Sequence, residues 1–142
     1  MSARWIAAEF AACCLASYAA RAETVSMVAS LAGANEVPAV ATEGVASATV
    51  MLDTVTHSLE WNVEVKGLSG PITAAHFHCP ATPEQNAPIS IPIAGAGATS
   101  PLKGTATITP DQTNNLLSGR CYLNVHTPQH PPGEIRGQVI RR

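Results

Sequence analysis

Aromatic and charged side chains are both scarce in this sequence: two each of Phe, Trp and Tyr among 142 residues, and 13% Asp, Glu, Lys and Arg. Eight basic residues stand against ten acidic ones, for a formal charge of −2. They are scattered, so there is neither the basic stripe that nucleic-acid binding needs nor an acidic interaction tail. Asp occurs at Asp53 and Asp111 alone, and no G-x-S-x-G is present, which leaves hydrolysis by a Ser-His-Asp set without support. Beyond residue 22 only Met27 and Met51 remain, too few for a methionine-rich Cu(I) carrier. No apolar run in that part is long enough to span a bilayer. What is plentiful is Ala, Val and Ile among Gly, Pro and Thr, a mixture that suits short strands and turns better than long helices. The length predicts one domain with a real core.

The first 22 residues differ from the rest. MSARWIAAEFAACCLASYAARA has a basic Arg4, an apolar stretch from Trp5 to Ala20, and Ala20-Arg21-Ala22 at its end. That order predicts a secretory signal peptide over 1–22, cleaved before Glu23, with a single domain over 23–142 in the periplasm or outside the cell. Glu9 interrupts the apolar stretch, and the competing reading is an amphipathic helix that stays attached. Cleavage leaves six basic and nine acidic residues, a formal −3. It also removes Cys13 and Cys14, so that Cys79 and Cys121 are left to form a disulfide in an oxidising compartment.

From Thr24 onward, short extended runs alternate with turn residues: TVSMVASL, ASATVML, LEWNVEV, ITAAHFHC, SIPI, LKGTATIT, CYLNVHT and EIRGQVI. Asp53 to Ser58 reads as a hairpin turn, and TPDQTNNLLSGR as one helical turn capped by Thr109 or Asp111 and ended by Gly119. The expectation is an all-β fold, a Greek-key immunoglobulin-like or superoxide-dismutase-like β-sandwich of about eight strands.

Two of these runs carry three of the five histidines. Side chains alternate across a strand, so His76 and His78 share one face while Phe77 and Cys79 share the other. In the second run Tyr122, Asn124 and His126 oppose Cys121, Leu123 and Val125. If the two strands are antiparallel with Cys79 facing Cys121, His76 falls opposite Asn124 and His126 becomes its diagonal neighbour. One register thus satisfies a disulfide and a three-histidine cluster together. Imidazoles suit Cu(II), Zn and Ni, and three of them leave a coordination position open. His130, in the loop TPQHPPGE, is a further candidate ligand. Tyr122 and Asn124 are candidates for the surroundings of the site. Glu134 and Arg136, on one face of the last run, are candidates for a charged pair or for positioning a ligating histidine. His57 stands apart in the hairpin turn and reads as solvated.

With these residues in hand, the chain resembles the chordin-type (CHRD) domain family. The matching stretches are LAGANEVPAV (31–40), AAHFHCPA (74–81) and NVHTPQHPPGEIRGQV (124–139), in the family's order and over essentially residues 24–142. The resemblance implies a secreted or cell-surface all-β domain, and the animal proteins that name the family bind growth factors. It carries His76, His78, His126, Glu134 and Arg136 over as motif positions. The chain departs from the family pattern at Cys79, where a glycine is usual, and at Cys121. The histidine layout is also similar to copper/zinc superoxide dismutase, without that enzyme's full ligand set.

The leading expectation is therefore an exported protein that binds copper, with zinc as runner-up, for storage, buffering or delivery to a metal-delivery or other extracytoplasmic protein partner. A copper redox enzyme of superoxide-dismutase type is the second reading. The third is a structural or protein-binding domain without metal.

Overall fold

A computed structural model describes residues 23–142. The expected signal peptide, 1–22, lies outside the described residues. The chain runs β1 (Thr24–Ala32), a 3-10 turn (Gly33–Asn35), β2 (Val45–Asp53), β3 (Ser58–Lys66), β4 (Ala74–His78), β5 (Ile89–Ala94), β6 (Leu102–Thr107), α1 (Pro110–Leu117), β7 (Tyr122–His126), β8 (Ile135–Gln138) and β9 (Ile140–Arg141). The fold is all-β. Its strands form one antiparallel sheet in the order β5-β4-β7-β8-β1-β2-β3-β6, with β9 paired to β1. The neighbours β4–β7, β8–β1 and β3–β6 are non-consecutive, as in Greek-key crossovers. β5 and β6 approach each other at the remaining seam, so the sheet curls nearly into a barrel.

Alternation explains which side is the core. In β2 and β3 every second residue is buried, including Leu59, Trp61, Val63 and Val65 as their spacing predicts. These side chains fill the interior with Met27, Phe77, Leu123 and Ile135, and Trp61 meets Phe77 edge-on at 6.0 Å. The outer face of β2 and β3 is solvated. That of β7 is not, because all five of its residues are buried. A second, polar layer therefore lies outside the sheet at β4, β7 and β8, roofed by the loops 33–44, 79–88 and 127–134.

Three local expectations change. EIRGQVI is two strands, because β8 pairs with β7 while β9 continues along β1 past Val139, whose N–H turns to Cys121. The helical segment is eight residues and two turns long. Thr109 and Gln112 cap each other reciprocally at its start, Pro110 occupies the first turn, and Gly119 (φ 67°) follows its end. His57 is not merely solvated: at φ 57° it is half-buried, with Nδ1 2.9 Å from Thr113 Oγ1 on α1. The hairpin turn itself is as expected, Asp53 Oδ1 accepting from the N–H groups of Val55 and Thr56.

Candidate metal centre

The ladder between β4 and β7 sets His76 opposite Asn124, His78 opposite Tyr122 and Ala74 opposite His126. This is the register that the cysteines imply. One position beyond the ladder Cys79 and Cys121 are disulfide-bonded, on the core side of the sheet. Pleating then sends His76, His78 and His126 outward together into the polar layer.

His76 Nδ1 lies 3.1 Å from His126 Nε2. One ring nitrogen from each of His76, His78 and His126 falls within 4.8 Å of the others. Two of the rings are oriented from behind. His78 Nδ1 is 2.8 Å from the Ala87 carbonyl, and His126 Nδ1 is 2.8 Å from the Pro131 carbonyl. A carbonyl only accepts, so each Nδ1 carries a hydrogen, and each neutral ring keeps its lone pair on Nε2. Metal-ligating histidines are commonly fixed in this way, by a backbone carbonyl on the far nitrogen. Burial, then the imidazoles of His126 and His78, hold His76 below the ordinary imidazole range. Burial does the same at His78, against the opposing effects of the Ala87 carbonyl and Asn124. Both shifts favour the neutral, ligating form.

The neighbouring candidates divide. Tyr122 stacks on His78 with ring centroids 4.7 Å apart and planes 4° from parallel. Asn124 Oδ1 lies 3.0 Å from His78 Nε2. Both therefore line the histidine site. His130 does not join the three clustered histidines. Its backbone shapes the loop, its N–H donating to Thr127 O and its carbonyl accepting from Gly133 N–H. It lines a cavity of about 340 Å³ beside the site, together with Glu36, Val37, His78, Tyr122 and Asn124.

Glu134 and Arg136 do not pair with each other, contrary to one expectation, because each finds a complete set of partners elsewhere. The Glu134 carboxylate accepts from Thr42 Oγ1, Ser69 N, Ser69 Oγ and Thr127 Oγ1 at 2.6–2.9 Å. Burial pushes its carboxyl up, but these donors outweigh that and hold it down at about 2. It pins three segments together and touches no histidine in this network. Arg136 donates to Asn86 Oδ1, Thr82 O and Gln85 O, and its guanidinium lies over Tyr122. It acts on the site through that ring.

Glu36 is the residue that sequence reasoning missed. It is 8% exposed, its Oε1 is buried without a hydrogen-bond partner, and burial pushes its carboxyl up to about 7 despite the opposing effects of Arg136 and Asn124. Gly133 makes room for it: at φ 136°, a Cβ there would sit 2.5 Å from Glu36 Oε1 and 2.6 Å from Asn124 Nδ2. The signal in the sequence was an acid inside the Gly- and Pro-containing stretch GANEVP, which by itself reads only as a loop.

Comparison with known proteins places the chain in one family. The pattern of the CHRD domain matches residues 27–139, from within β1 to the residue before β9. No curated protein and no solved structure matches the chain.

Proposed function

The chain belongs to the CHRD domain family, and from that premise and its converging imidazoles we propose that it is an exported metal-binding protein. It holds one copper ion at His76, His78 and His126, in storage, buffering or delivery. The observation that carries the reading is the pair of carbonyls, Ala87 and Pro131, that turn the Nε2 lone pairs of His78 and His126 toward the common space beside His76. With Nδ1 of both rings given to a carbonyl, Nε2 of each is left with its lone pair, as in a metal-ligating histidine. Copper is favoured over zinc because imidazole sites bind Cu(II) more tightly than Zn(II) in the general order of divalent affinities. The disulfide supports an oxidising compartment, hence export. No helix among the described residues is long and apolar enough to cross a membrane.

Metal content tests this directly. The purified protein is loaded with Cu(II) and with Zn(II) separately, freed of excess, and assayed for stoichiometry and thermal stability. One retained copper ion and a raised melting temperature are expected, because an ion that binds only the native state stabilises it. No retained ion and no shift would leave the imidazoles as structural groups and end the metal reading.

A further inference from the structure

We propose that the side-chain amide oxygen of Asn124 is the fourth donor of this centre, which makes it a site of three nitrogens and one oxygen. This inference rests on the histidine reading above.

Asn124 is 2% exposed, on the outer face of β7 between Tyr122 and His126. Its Oδ1 lies 3.0 Å from His78 Nε2. The hydrogen of the neutral His78 ring is on Nδ1, given to the Ala87 carbonyl. Nε2 and Oδ1 therefore face each other with lone pairs and no hydrogen between them. Two acceptors in that position repel, and at 3.0 Å no water fits between them. The contact becomes favourable when a cation sits where both lone pairs point.

The orientation of the amide is set from its other end. Nδ2 is 3.4 Å from the Pro132 carbonyl, and it converges with Glu36 Oε1 on Gly133. Turning the amide over would set Oδ1 against those two oxygens. That reversed arrangement is satisfied only if Glu36 donates a proton to Oδ1, and Asn124 would then merely orient His78.

Two of the separations match those of neighbouring ligands on one ion. His78 Nε2 and Asn124 Oδ1 are 3.0 Å apart, and His76 Nδ1 and His126 Nε2 are 3.1 Å apart. Both are close to the distance between adjacent ligands at right angles, about 3.0 Å for bonds of about 2.1 Å. A carbonyl-type oxygen among imidazoles is a hard donor, while Cu(I) prefers thiolate and thioether sulfur. Asn124 thus selects the cupric state over the cuprous one.

The test is pulsed electron paramagnetic resonance on Cu(II)-loaded protein grown with ¹³C-asparagine. A hyperfine coupling to a side-chain amide carbon is expected in the wild type and absent in Asn124→Ala. In the same variant the Cu(II) dissociation constant, from competition with a chelator, is expected to rise by about 10–100-fold. Asn124→Asp, which returns an oxygen to the same place, should bind more tightly than Asn124→Ala. A wild-type protein that holds one Cu(II) ion without the ¹³C coupling overturns the assignment of Asn124 while leaving the histidines in place. A wild-type protein that holds no copper overturns the histidine reading itself. The labelled wild type decides the question even if Asn124→Ala does not fold.

Discussion

The guanidinium of Arg136 lies over the ring of Tyr122, its carbon 3.5 Å from the ring centroid. On its β4 side the same ring stacks on His78. The loop 79–88 holds both ends of this stack. Thr82, Gln85 and Asn86 accept from Arg136, and Ala87 accepts from His78. A desolvated cation–ring contact is worth about 2 kcal/mol, and here it also fixes the plane of an imidazole. Arg136, 1% exposed, is thus held by three oxygens and a ring face rather than by Glu134.

His76→Ala removes a nitrogen from the centre and leaves its neighbours in position. We expect Cu(II) affinity to fall by more than about 100-fold, beyond the usual effect of losing a supporting residue. His57→Ala should leave affinity unchanged, because that ring is engaged with Thr113 on α1. Competition titration of both variants checks this, and equal losses would discredit the cluster.

Glu36 makes stability depend on pH. Its carboxyl titrates near 7 in the fold and near 4.5 when unfolded, so the native state binds more protons between those values. Its contribution is therefore complete below about pH 4.5 and is lost as pH rises through 7. Glu36→Gln should gain about 1 kcal/mol relative to the wild type between pH 4.5 and pH 8, after allowance for solvent screening. Urea unfolding of the metal-free proteins measures it. A difference independent of pH would mean that the carboxyl ionises normally.

Glu134 has the opposite sign. Held at about 2 by its four donors, it contributes stability above about pH 4.5 that is lost as pH falls toward 2. Glu134→Ala strands the donors Thr42, Ser69 and Thr127 and should cost about 3 kcal/mol at pH 7. The urea midpoint reports the loss. Copper affinity in the fraction that remains folded should be unchanged, since Glu134 contacts none of the histidines in the hydrogen-bond network.

The Cys79–Cys121 bridge spans 42 positions of sequence. Closing a loop of that length stabilises by about 4 kcal/mol on the chain-entropy account, so Cys79→Ser/Cys121→Ser should lose stability of that order. It should also weaken copper binding, because Cys79 anchors the loop whose Ala87 carbonyl orients His78. Mass spectrometry of the non-reduced protein should find no free thiol at 79 or 121. Unchanged copper affinity in the double variant would show that the loop keeps its place without the bridge.

Much of this protein could be read from its residues in order. Period-two alternation with turn residues located eight of the strands, and it put the cysteines and histidines of β4 and β7 on opposite faces. The pairing of Cys79 with Cys121 then fixed the register, because a one-residue slip exchanges a strand's faces and a two-residue slip parts the cysteines. His76 opposite Asn124 follows from that alone. Tertiary structure decided everything that depends on loops crossing the outer face. Glu36 reaches Asn124 and Gly133 from a stretch 88 and 97 positions away, and Arg136 finds its acceptors on 82–86 rather than at Glu134 two residues before it. Ala87 and Pro131 orient two imidazoles through carbonyls that every residue possesses. Alternation reports which face a side chain takes. It carries no information about which distant backbone will cover that face, since any chain offers the same carbonyls and only packing chooses among them.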